Sequence, residues 1–126
     1  NDREIFRIQS AVISRIAEES SAVFVGRASD YVLRGRTDCV DVFVCAPDVC
    51  RRERVSRRMG SSCEEAEKLM NKKDKGREDY YNFFTFGHWG VASNYDLCVD
   101  SSILGTDATA DFIIDFAVRS GKLSNR

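Results

Sequence analysis

Apolar and polar positions alternate in blocks along this chain, and the blocks predict helices separated by short apolar runs. Ile5, Ile8, Val12 and Ile16, with Phe6 and Ile13 beside them, recur at helical spacing and predict an amphipathic helix over residues 1–18. Asn1 and Glu4 form the pattern of a capping box at its start. Residues 22–25 read as a short apolar strand running into Gly26 and Arg27, and residues 28–34 as a helical turn or two. Val40, Val42, Phe43 and Val44 form a run with almost no polar interruption, the pattern of a strand over residues 40–45 buried on both faces. Ala46 and Pro47 stop it, and Asp48 is a candidate cap for a helix reaching Met59. After Gly60, Ser62 with Glu65 caps a second charged helix over residues 63–84. A loop follows to Asn94, then a strand over residues 95–99, a turn, and a last helix over residues 107–119 that Gly121 stops.

Strands alternating with helices predict an α/β layered fold on a parallel sheet. Ligands of such sheets bind beyond the carboxyl ends of the strands. Gly26-Arg27, Asp48 with the helix after it, and Asp100-Ser101-Ser102 all fall at such ends, so three strands point polar residues at one edge.

The helix after residue 48 carries Arg51, Arg52, Arg54, Arg57 and Arg58. Spacings of three and four place Arg51, Arg54 and Arg58 on one face. Guanidinium groups at the end of a strand suit multi-oxygen anions, phosphate above all. The plainer reading is a solvated helix with Glu53 paired to Arg57.

Composition narrows the choice. A chain of 126 residues is one domain or most of one, and the formal net charge of -1 leaves no nucleic-acid footprint over the whole surface. Five cysteines, an odd number without a CxxC pair, point to a reducing compartment, the cytoplasm, with neither a disulfide framework nor a zinc site. Cys45 and Cys98 sit in apolar runs and read as small hydrophobes. No segment approaches the length of a membrane span. His88 has no second histidine to share a metal with, and Trp89 reads as a loop anchor. The second charged helix, with Lys72, Lys73, Asp74, Lys75 and Arg77, reads either as a solvated face or as part of a mobile lid closing over an anion. A basic hairpin for RNA is disfavoured by Glu64, Glu65, Glu67, Glu78 and Asp79 in the same stretch. No GxxxxGK[ST] phosphate loop occurs in the chain.

The motifs V-G-R-x-x-D-Y-V-L from Val25, D-K-x-R-x-x-Y-Y from Asp74 and W-G-x-x-x-N-Y-D-L-C from Trp89, together with the strand and arginine helix between them, resemble the cytidylate kinase-like family, a branch of the nucleoside-monophosphate kinases. The resemblance implies a three-layer P-loop NTPase-type parallel sheet flanked by helices, with a helical lid over about residues 54–90. It implies transfer of a phosphoryl group from ATP, with Mg²⁺, to a nucleoside monophosphate, CMP or dCMP first. A catalytically inactive nucleotide-binding or regulatory module of the same fold is the alternative. By the same resemblance Arg54 stacks on the donor adenine, Arg58 reaches the donor phosphates, and Arg77 with Tyr81 contacts the transferring group. Asp74 positions arginines or the acceptor, Arg27 holds the acceptor phosphate, and Asp30 lies near the acceptor's sugar or base. In the family's usual order the phosphate-binding loop and the first strand precede Asn1, so residues 1–126 are expected to form a single incomplete kinase domain. The missing part is expected to span about fifty to seventy residues and to hold most of the Mg²⁺ ligands.

Overall fold

Helix α1 (Asp2–Glu19) opens the chain in a computed structural model that describes residues 1–123. Residues 124–126 of the expected domain lie outside the described residues. The Asn1 side chain accepts the Glu4 N–H, as the capping pattern predicts. α1 buries Ile13 and Ala17 against Leu33, with Phe24, Val32 and Cys39 packed around them. The short helix α2 (Ser29–Val32) supplies part of that wall.

Strand β1 (Val42–Cys45) pairs in parallel with β2 (Leu97–Asp100), Val42 opposite Leu97 and Cys45 opposite Asp100. Between them run α3 (Asp48–Met59) and α4 (Cys63–Thr85), a helical hairpin turned at Gly60, whose left-handed φ of 62° suits glycine. Ser62 caps α4 by accepting the Glu65 N–H, as predicted. Helices α5 (Ser101–Leu104) and α6 (Thr106–Arg119) follow β2.

The fold is therefore mixed α/β, mostly helical, around a two-stranded parallel sheet among the described residues. The expected strand at residues 22–25 is extended but joins no ladder, and Val23 and Val25 stand 92% and 89% exposed. A strand needs a neighbour for its N–H and C=O groups, and no strand lies beside this stretch among the described residues. β1 is not buried on both faces either. Val44 and Cys45, which point to opposite faces of the sheet, are both exposed, and Cys98 is exposed too. Asp48 does not cap α3; the N-cap is Pro47 and Asp48 stands in the first turn.

α3 and α4 bury Ala66 to 1% exposure and Met70 to 5%. The C-terminal half of α4 is held to α1 by aromatic contact, Phe6 stacking on Phe84 at 4.3 Å and meeting Tyr80 edge-on at 6.1 Å. No helix among the described residues is long and apolar enough to cross a membrane.

Candidate functional site

β1 and β2 deliver their carboxyl ends side by side, where the Ser101 hydroxyl donates to the Cys45 carbonyl at 3.5 Å. A cleft of about 430 Å³ opens at that edge, lined by β1, Ala46, Arg51, Asp74, Arg77 and Trp89. Trp89 forms one wall, edge-on to Phe43 at 5.6 Å, and its backbone N–H donates to the Asn82 side chain at 2.8 Å. It anchors the loop as its sequence position suggested.

Two arginines from different helices meet one carboxylate in this cleft. Arg51 of α3 donates through Nη2 to both Asp74 oxygens, at 2.9 and 2.7 Å. Arg77, one turn along α4, donates to Asp74 Oδ1 at 2.8 Å. Asp48 lies 3.5 Å from Arg51 Nη1 but is largely exposed, so it adds little. The expected neighbours Asp74 and Arg77 are thus together. Arg51, to which the resemblance gave no role, is at the centre, because a side chain bridging to a helix 23 residues on leaves no mark in local spacing.

The second assembly surrounds the Gly26-Arg27 turn. Gly26, Arg27 and Ala28 take consecutive left-handed conformations, with φ of 71°, 58° and 55°. Glycine does so freely, but Arg27 and Ala28 each store about 1–2 kcal/mol of backbone strain. Such strain persists only where the surroundings hold it. Ala28 is buried, and Asp30 just beyond accepts the Tyr81 hydroxyl at 2.8 Å. Tyr81 is 8% exposed; burial, then its bond to Asp30, pushes its phenol well above the ordinary value. Arg27 rests its guanidinium over the Tyr80 ring, 5.8 Å from the centroid. Tyr80 was not foreseen as a site residue.

The two assemblies share α4. Arg77 and Tyr81 lie four residues apart, about 6 Å along the axis, so one helix carries both the cleft arginine and the partner of Asp30. Tyr81 does not line the cleft; its hydroxyl is spent on Asp30. Arg54 reaches away from both, to the Thr106 hydroxyl at 3.5 Å, and Arg58 is exposed one turn further along α3. Asp100 accepts the Ser102 N–H and hydroxyl at 2.9 and 2.7 Å.

The sequence profile of the cytidylate kinase-like family matches residues 1–103. The chain belongs to that family. No curated protein matches it. A solved structure of an uncharacterized protein from Eubacterium ventriosum is similar, at 28% identity and a TM-score of 0.86 over 91% of this chain. This family member spans 65% of the length of that relative. As for the metal that kinases of this kind use, no group of three or more His, Cys, Asp or Glu among the described residues could hold one. Asp74 is taken by two arginines and Asp100 by Ser102, so these residues do not fit a magnesium site.

Proposed function

We propose that this protein transfers the γ-phosphoryl group of ATP to a nucleoside monophosphate, with CMP or dCMP as acceptor. Family membership supports kinase-like chemistry. The observation that carries the reading is the meeting of Arg51 and Arg77 at the carboxyl end of the parallel sheet. Phosphoryl transfer spreads negative charge over phosphoryl oxygens, so catalysis is mostly positioning and charge neutralisation. Arg77 supplies charge to the transferring group from α4. Arg58 joins it from α3 when the helical hairpin closes as a lid, and Arg54 offers its guanidinium plane to the donor adenine. Arg27 leaves the Tyr80 ring for the acceptor phosphate, with Asp30, oriented by Tyr81, close to the acceptor's sugar or base.

In this reading the two strands belong to a three-layer P-loop NTPase-type sheet that includes a strand beside residues 22–25 and a phosphate-binding loop. The exposed Val23 and Val25 support that extra strand. Magnesium would be held by residues other than Asp74 and Asp100, and would neutralise charge on the donor phosphates. The protein acts in the cytoplasm, where its five free cysteines stay reduced.

Arg77→Ala tests the assignment. Turnover falls far more than ATP affinity, because the interaction is made chiefly in the transition state. Equal losses in both would contradict that role.

A further inference from the structure

The Asp74 carboxylate stands where an oxyanion would stand. Its two oxygens take two hydrogen bonds from Arg51 Nη2 and one from Arg77, at 2.7–2.9 Å. That is the array of donors a phosphoryl group asks of paired guanidiniums. Arg51 and Arg77 belong to different helices, and the Asp74 carboxylate is the group that joins them. Arg51 and Asp74 are 31% and 25% exposed, half sheltered on the cleft wall, whereas Arg77 is 58% exposed and reachable from solvent. The cleft in front of them is open and has room for a diphosphate-sized anion, at about 430 Å³.

We propose that Arg51 is a further phosphate-binding residue of this site, and that Asp74 is an internal placeholder that holds Arg51 and Arg77 together until a phosphate displaces it. Without Asp74 two cations would face each other across the gap between α3 and α4. With it they are preassembled, and an incoming phosphate inherits their geometry. Displacement leaves α3 and α4 joined through the bound phosphate, which takes both guanidinium groups over from Asp74. Asp74 is therefore a positioning residue, and its negative charge competes with the ligand.

The role rests on the phosphotransferase reading only for the identity of the phosphate, so the test uses pyrophosphate and reads binding. Calorimetric titration of the full-length protein with pyrophosphate compares wild type with Arg51→Gln, Asp74→Asn and Arg57→Gln. Arg51→Gln weakens binding about tenfold, the loss of one charge-assisted hydrogen-bonding group. Arg57→Gln, an exposed arginine of the same helix outside the cleft, leaves binding within about twofold of wild type. Asp74→Asn removes the competing charge and tightens binding about threefold or more. A purely structural ion pair predicts the opposite, weaker binding in Asp74→Asn as in Arg51→Gln, and that result overturns the placeholder. Unchanged binding in Arg51→Gln overturns the role of Arg51. If Arg51→Gln unfolds, Arg51→Lys keeps the charge but loses the fork, and wild-type affinity in that variant overturns the role equally. Absence of turnover with every nucleotide would sink the proposed function and leave this binding result standing.

Discussion

Replacing Tyr81 with Phe removes one oxygen and keeps the ring, so it isolates the bond that ties α4 to the Gly26-Arg27 turn. The Tyr81 hydroxyl donates to Asp30 at 2.8 Å from a site that is 8% exposed. A hydrogen bond to a charged group contributes about 1.5–3 kcal/mol. Asp30 is only half-buried and regains water on one side, which favours the lower part of that range, about 2 kcal/mol. For a chain of 126 residues this corresponds to a melting temperature lower by about 8 °C. Urea unfolding followed by the fluorescence of Trp89, the one tryptophan, measures it directly. The pH dependence carries a second signature. The Tyr81 phenol is held above its ordinary 10.0, by burial first and by Asp30 next. A raised folded value means that its contribution is fully present below 10.0 and is lost as pH rises through the folded value. The gap between wild type and Tyr81→Phe is therefore constant at neutral pH and narrows in strong alkali. Tyr80→Phe is the control, since it loses a neutral bond to Gln9 at 3.2 Å and costs about 1 kcal/mol or less. A Tyr81→Phe protein within about 0.5 kcal/mol of wild type would refute the clasp.

Four further outcomes are expected. Gly60→Ala forces a side chain into a φ of 62° with open space around it, so it costs about 1 kcal/mol of stability by strain alone, read as a lower urea midpoint. Phe84→Ala removes a ring stacked on Phe6 at 4.3 Å and tilted on Tyr80 at 4.8 Å; as the ring is only partly buried it costs about 2 kcal/mol and loosens α4 from α1, read as faster amide exchange in α4. Asp96 and Asp41 shift in opposite directions. Partial burial pushes Asp96 up, but the Asp41 N–H and the Lys122 ammonium outweigh it and hold its carboxyl below 3.8. Its contribution is present above 3.8 and disappears as pH falls, so the deficit of Asp96→Asn shrinks in acid. Asp41 is pushed up by burial and by the charges of Asp30 and Asp96, so Asp41→Asn is more stable than wild type at neutral pH in the same unfolding assay.

Local signals were legible and long-range ones were not. The Asn1 and Ser62 caps, the Gly60 and Gly121 stops, and the helix of α1 depend on residues a few positions apart, and each forms where the pattern put it, but Ile5, Ile8 and Val12 of the expected apolar face stand exposed and α1 buries Ile13 and Ala17 instead. The stretch at residues 22–25 has strand composition, yet a strand is a property of two stretches, and no partner lies beside it among the described residues. Arg51 shows the same limit at the site. Its helix face was readable, but its bond to Asp74 closes 23 residues of chain. The local D-K-x-R motif put Asp74 beside Arg77, as observed, and the tyrosines at its end hold the turn of Arg27 and Asp30.

Phosphoryl transfer from ATP to CMP or dCMP is the proposed activity. A coupled assay of ADP formation by the full-length protein, with ATP and a panel of CMP, dCMP, UMP, AMP and GMP, tests it most directly. Turnover is expected, fastest with CMP or dCMP, and is lost in Arg77→Ala. ATP binding with no turnover on any of the five acceptors would contradict it and leave a nucleotide-binding module in its place.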